Sequence, residues 1–113
     1  MTKLPNAEKA FIPLEKLTEY SLNLEHDTGK HKARVFRAAF GWTESDAPLL
    51  QSILRSVVQL VNATLQSPTV HGERYVVDFR WTTEKGSAKI RSAWIVRYGE
   101  DFPRLTSCYI LEE

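Results

Sequence analysis

A single cysteine, Cys108, and a single methionine stand among 113 residues. One cysteine excludes an internal disulfide framework and any paired-cysteine redox or zinc motif. No His-Glu-x-x-His spacing occurs, so the sequence makes no case for a metal, and no cofactor is expected. Long apolar runs are missing as well: the most apolar stretch is broken every few residues by polar ones, which leaves no membrane span. The N-terminal "MTKLPNAEKAF" lacks the charged-then-apolar layout of a signal peptide, and a reducing, cytoplasmic setting is expected. No internal repeat or low-complexity segment appears.

What the chain does have is a generous aromatic supply, three Trp, four Tyr and five Phe, with 42% apolar and 26% charged residues. That composition and length suit one folded domain over residues 1–113. The net charge of +1 is unevenly placed. Residues 29–41 carry Lys30, Lys32, Arg34 and Arg37 and no acid, whereas residues 1–28 are net acidic. A local basic patch attracts an anion even on a nearly neutral molecule.

"IPLEKLTEYSLN", with Leu14, Leu17 and Leu22 and with Pro13 in the first turn, predicts a short helix over about residues 13–22. A second helix starts after "HDTG", capped by Asp27 or Thr28, and stops at Gly41, where glycine adopts a left-handed cap. On it Ala33, Phe36 and Phe40 share a packing face, Lys30, Arg34 and Arg37 form a basic stripe bordered by His31, and Lys32 points elsewhere. A third helix, opening at Thr43 or Ser45 with Asp46 and Pro48 in its first turn, carries apolar residues with a period near 3.6 from Leu49 to Leu65. It is the expected core helix.

From Tyr75 the period becomes two. Tyr75, Val77, Phe79 and Trp81 alternate with polar residues, and "TEKG" reads as a four-residue hairpin loop with Gly86 left-handed. Pairing Thr82 with Ser87 sets Phe79 against Ile90, Val77 against Ser92, Tyr75 against Trp94 and Asp78 against Arg91. A one-residue slip would oppose Phe79 to Arg91, so the pattern favours the first register. "GEDFP" is the next turn and "RLTSCYIL" a further strand whose register the sequence leaves open. The fold class is therefore α+β, two or three N-terminal helices packed on a C-terminal antiparallel meander of three or four strands.

With the core helix on the Tyr75 face, the other face presents Asp78, Arg80, Lys89, Arg91 and Arg97. A polar sheet face needs no function. Arginine forks nevertheless match phosphate oxygens, and cleavage of RNA without metal needs a proton acceptor, a proton donor and cations for the phosphorane. His31, flanked by Lys30 and Lys32, suits proton transfer, although a surface histidine on a helix is equally a structural residue. His26 and His71 are expected in loops, and Trp81 and Trp94 in the core rather than as base-stacking platforms.

The segments "LPNAEKAFIPLEKLTEYSLN", "HDTGKHKARVFRAAFG" and "IRSAWIVRYGEDFPRLTSCYIL" together resemble an uncharacterised bacterial domain family found as small stand-alone proteins and at the C-termini of polymorphic toxins. In layout the chain is more distantly similar to the barnase, EndoU, colicin D and RelE group of metal-independent ribonucleases. That resemblance implies His31 or Lys30 as the proton-transfer group, Arg91 as phosphate clamp, and Thr106 and Tyr109 as strand-borne partners, with Arg34, Arg37, Arg80, Lys89 and Arg97 along the RNA. Its implied partners are RNA and a cognate antitoxin or immunity protein. Edge strands would also permit a homodimer. The expected function is a small toxin endoribonuclease; the alternative is a non-enzymatic module whose basic face engages nucleic acid or an acidic protein.

Overall fold

Helices come first and a sheet follows. The computed structural model describes residues 2–25 and 30–111, Lys30 by its backbone alone. The elements are α1 (Leu14–Lys16), which runs on into a wider turn over Leu17–Ser21, then α2 (Lys30–Phe40), α3 (Ala47–Val57), and the strands β1 (Thr64–Leu65), β2 (Gly72–Thr83), β3 (Gly86–Arg97) and β4 (Arg104–Leu111). The four strands form one antiparallel sheet in the order β1-β2-β3-β4. This is the α+β layout that the change of period implies.

Helix α2 ends as a glycine-capped helix should: the Gly41 N–H donates to Arg37 O at 2.8 Å with φ at 72°. The expected caps at its other end, Asp27 and Thr28, lie outside the described residues. Pro13 sits just before α1 in an extended conformation rather than inside its first turn. At the start of α3, the Asp46 carboxylate accepts the Thr43 N–H at 2.8 Å.

The core helix is shorter than its apolar period. It stops at Val57, because the chain beyond is captured by other backbone: Ala63 N–H donates to Thr2 O at 2.7 Å, and Thr64 and Leu65 pair with Val76 and Tyr75. Long-range strand pairing outweighs a helical periodicity that Leu60, left exposed, does not satisfy.

The hairpin register is the one that hydrophobic alternation selects, including Phe79 with Ile90 and Asp78 with Arg91. The loop is tighter than expected. Thr83 pairs with Gly86, so only Glu84 and Lys85 turn, and Gly86 belongs to the ladder. At the far end of β2, a Cβ on Gly72 would sit 2.2 Å from Val96 O, so this position admits no side chain.

Tyr75, Val77, Phe79, Ile90, Trp94, Leu105, Cys108 and Ile110 point to one face of the sheet and bury against Phe36, Phe40, Leu50, Ile53 and Leu54 of the helical layer. Helix α2 packs on the Leu17–Ser21 turn and on β3 and β4, while α3 backs the α1 segment. Trp94 is fully buried, and its indole N–H donates to Ser92 Oγ at 2.9 Å, which donates in turn to Val77 O at 3.0 Å. Trp81 is partly buried at the rim of the core, edge-on to Phe79.

The register of β4, open in the sequence, is decided by an irregularity opposite Ala93 and Trp94: Ser107 pairs with Ala93 but Leu105 with Trp94. Thr106 is the extra residue of this bulge. Leu105 therefore faces inward together with Cys108 and Ile110, although they differ in parity. No described helix is long and apolar enough to cross a membrane.

Candidate functional site

Asp78, Arg91 and Tyr109 form one cross-strand row on the sheet face turned away from the helices, because Arg91 is paired with Asp78 on one side and Tyr109 on the other. Arg91 donates from Nε and Nη2 to the two Asp78 carboxylate oxygens, each at 2.8 Å. This fork fixes the guanidinium plane, with Tyr109 as its neighbour on the other strand. The hydrogen bonds to Asp78, and beside them the contact with Tyr109, hold Arg91 protonated still more firmly than an ordinary arginine. With side chains 34% and 24% exposed, the pair is neither buried nor fully screened. It presents an oriented cation to solvent.

The next row carries Arg80 opposite Lys89, with Leu111 beyond. From the helical layer, Lys32 reaches past the edge strand to place its ammonium 4.6 Å from the centre of the Tyr109 ring. Lys32 thus joins the site, contrary to the expectation that it points elsewhere. The signal was its spacing: one residue before Ala33, it flanks the packed stripe on the side opposite Arg34 and Arg37. Among the described residues, Arg80, Lys89 and Arg91 share these two rows with one acid, Asp78, and Lys32 approaches from the helical layer.

The structure brings together Arg91, Tyr109, Arg80 and Lys89 of the expected set. It does not bring His31 to them. His31 is exposed, about half a helical turn from the Ala33 and Phe36 face that rests on the sheet. Arg34 and Arg37 are exposed on the other flank of α2, sharing a shallow hollow with Leu24 and Ala38. Arg97 lies six residues along β3 from Arg91, about 20 Å away, beside His71 and Tyr98. Thr106, exposed at the bulge, stands between that end and the edge of β4. The Lys30 side chain and His26 lie outside the described residues. His71 occupies the turn before β2, as expected.

"GEDFPR" turns out to be a structural clamp. Arg104 donates to both Glu100 oxygens at 2.9 and 2.8 Å and stacks between Phe11 and Phe102, 5.1 and 4.9 Å from their ring centres. Hydrogen bonding to Arg104 lowers the Glu100 pKa. Phe11 N–H donates to Pro103 O and Leu105 N–H to Phe11 O, so the N-terminal segment covers the start of the β4 edge. Arg55 and Gln51 of α3 hold the same segment through Ala10 O and Ile12 O.

Cys108 is buried, and desolvation pushes its thiol up to about 12, against a smaller downward pull from Lys32. A thiol so placed is unreactive in the native state. Iodoacetamide at pH 8 is expected to leave native protein unlabelled and to label it fully in urea, read by mass spectrometry. The native state keeps this proton where the unfolded chain loses it, so the contribution to stability is present below pH 9.0, the ordinary thiol value, and is lost as pH rises toward 12. Urea midpoints measured between pH 8 and 10.5 should fall more for the wild type than for Cys108→Ala.

Among the described residues, no three His, Cys, Asp or Glu side chains converge as a metal site. Comparison with known families then decides the lineage. Residues 3–112 match the family described as a domain of unknown function, DUF6883. The chain belongs to this family. Searches of curated proteins and of solved structures gave no match. DUF6883 membership covers both segments in which the sequence signals are densest, "GKHKARVF" and "RSAWIVRYGEDFPRLTSCY". In this DUF6883 chain the first supplies Lys32 together with the buried Ala33 and Phe36, and the second supplies Arg91 and Tyr109 together with the Arg104 clamp.

Proposed function

We propose that this protein is a small metal-independent endoribonuclease that binds RNA on the open face of its sheet. The observation that carries the reading is the row Asp78, Arg91, Tyr109 with the Lys32 ammonium over the tyrosine ring. Asp78 aims Arg91, which beside Tyr109 holds the non-bridging oxygens of the scissile phosphate. Lys32 adds a second positive charge beside the developing phosphorane, and Arg80 and Lys89 hold the neighbouring backbone. The ribose 2′-oxygen loses its proton to water and bonds to phosphorus. The bond from phosphorus to the 5′-oxygen breaks, and the Tyr109 hydroxyl donates a proton to the departing oxygen, later recovered from water. The products are a 2′,3′-cyclic phosphate and a 5′-hydroxyl. This reading keeps Arg91 and Tyr109 of the residues implied by resemblance, moves proton donation from His31 to Tyr109 and adds Lys32 as a cation.

Such an activity in the cytoplasm needs restraint, and a cognate antitoxin or immunity protein would act by covering this basic face. The test is incubation of purified protein with total RNA in EDTA, wild type beside Arg91→Ala, with the ends mapped. Discrete cuts ending in cyclic phosphate, lost in the variant, support the enzyme. Intact RNA with a salt-sensitive mobility shift would overturn it in favour of the non-enzymatic binding module.

A further inference from the structure

The edge of β4 is held at two points and open between them. Phe11 pairs along Pro103 and Leu105, and the Ser21 hydroxyl donates to Cys108 O at 2.9 Å. The bulge falls between these anchors, and there a cavity of about 260 Å³ opens, lined by Lys16, Tyr20, Lys32, Thr106 and Ser107. One water needs only ~10–15 Å³ on this measure, so there is room for a tetrahedral anion and part of a sugar.

The lining holds two lysines and no acid. Among the described residues neither lysine has a carboxylate partner: Lys16 lies 5.5 Å from the Tyr20 ring centre and Lys32 over Tyr109. The side-chain hydroxyls of Thr106 and Ser107 likewise make no hydrogen bond among the described residues. Two lysines without a carboxylate partner and two hydroxyls lining one cavity suit an anion with several acceptor oxygens.

We infer that this cavity binds a phosphoryl group, that of the RNA nucleotide next to the one held by Arg91. Lys32 is common to both places, lining the cavity while touching Tyr109, so a strand crossing the edge of β4 meets Arg91 and the cavity in succession. The assignment to an RNA strand rests on the proposed ribonuclease reading; the anion chemistry of the cavity does not.

The experiment measures binding without cleavage. A fluorescent 2′-O-methyl oligonucleotide, which lacks the attacking hydroxyl, is titrated by anisotropy across a range of salt against wild type, Lys16→Ala and the length-preserving Lys16→Gln. Thermal melts confirm that each variant folds. Both variants should bind about 10-fold more weakly at low salt, and the slope of log K against log salt should shrink by ~0.7, one phosphate contact on a single strand. The amide resonances of Ser107 and Cys108 should move on adding the oligonucleotide, and inorganic phosphate should compete. Wild-type affinity and slope in both variants would overturn the inference, even if the protein cuts RNA. Movement of those amides with inorganic phosphate and not with the oligonucleotide would overturn the strand assignment in favour of a small-anion site. Weakened binding in both variants, by a protein that never cuts RNA, would uphold the cavity and remove the ribonuclease.

Discussion

Arg91→Ala is expected to lower RNA cleavage by ~10² or more, the usual effect of removing one preorganised cation from a transition-state charge. The loss should fall on kcat rather than on binding, since Arg80 and Lys89 in the adjacent row, and Lys32, still hold the strand. Removing Arg91 also leaves Asp78 on the sheet without its partner, so a melt must accompany the assay. Because Asp78 is about one-quarter exposed, water can take the place of the guanidinium, and the stability change should stay near 1 kcal/mol. Asp78→Asn provides the contrast. It keeps an acceptor for Arg91 and removes the charge, so activity should fall less than in Arg91→Ala if Asp78 only aims the guanidinium. Equal cleavage by wild type and Arg91→Ala, at equal stability, would eliminate this row as the centre of the chemistry.

Trp94→Ala is expected to cost about 3–5 kcal/mol, the range for truncating a large buried aromatic. For a protein of this size such a loss is a large part of the total stability. The mechanism is specific to the position. Trp94 is 0% exposed in the second half of β3 and belongs to the core cluster shared by the sheet and the helical layer. Its indole N–H is one link in a buried chain through Ser92 to Val77 O, so truncation opens a cavity and removes a donor together. Trp94→Phe should cost clearly less, because most of the ring volume remains and Ser92 still has its carbonyl acceptor. Urea unfolding of the three proteins gives the order directly; an alanine variant within 1 kcal/mol of wild type would contradict the packing described.

Much of the fold was legible because short-range signals carried it. The acid-free helix ended at Gly41, where a left-handed glycine donates back to Arg37, and its Ala33, Phe36 and Phe40 face is buried. The hairpin register followed from period-two alternation together with the turn, since a one-residue slip opposes Phe79 to Arg91. Helix α3 is shorter than its apolar period for the converse reason. Apolar period alone does not register that Asn62, Ala63 and Thr64 have partners at Lys3, Thr2 and Val76, none of them nearby in sequence.

In the candidate site, the opposition of Asp78 to Arg91 was visible because it lies within one hairpin. Tyr109 opposite Arg91 was not, since the bulge at Thr106 breaks the alternation of β4 and hides which of its residues face outward. Lys32 was lost in a charge pattern that drew attention to Lys30, Arg34 and Arg37; a helical wheel places it beside the packed stripe but does not say that an edge strand with a tyrosine lies within its reach. By itself, then, the sequence determined the order of elements, the packed faces of α2 and the central hairpin, because periodicity and turn chemistry act over a few residues. Only the tertiary structure decided where β4 slides, which cations share a face and which hydroxyls line a cavity, because those depend on backbone pairings between residues tens of positions apart.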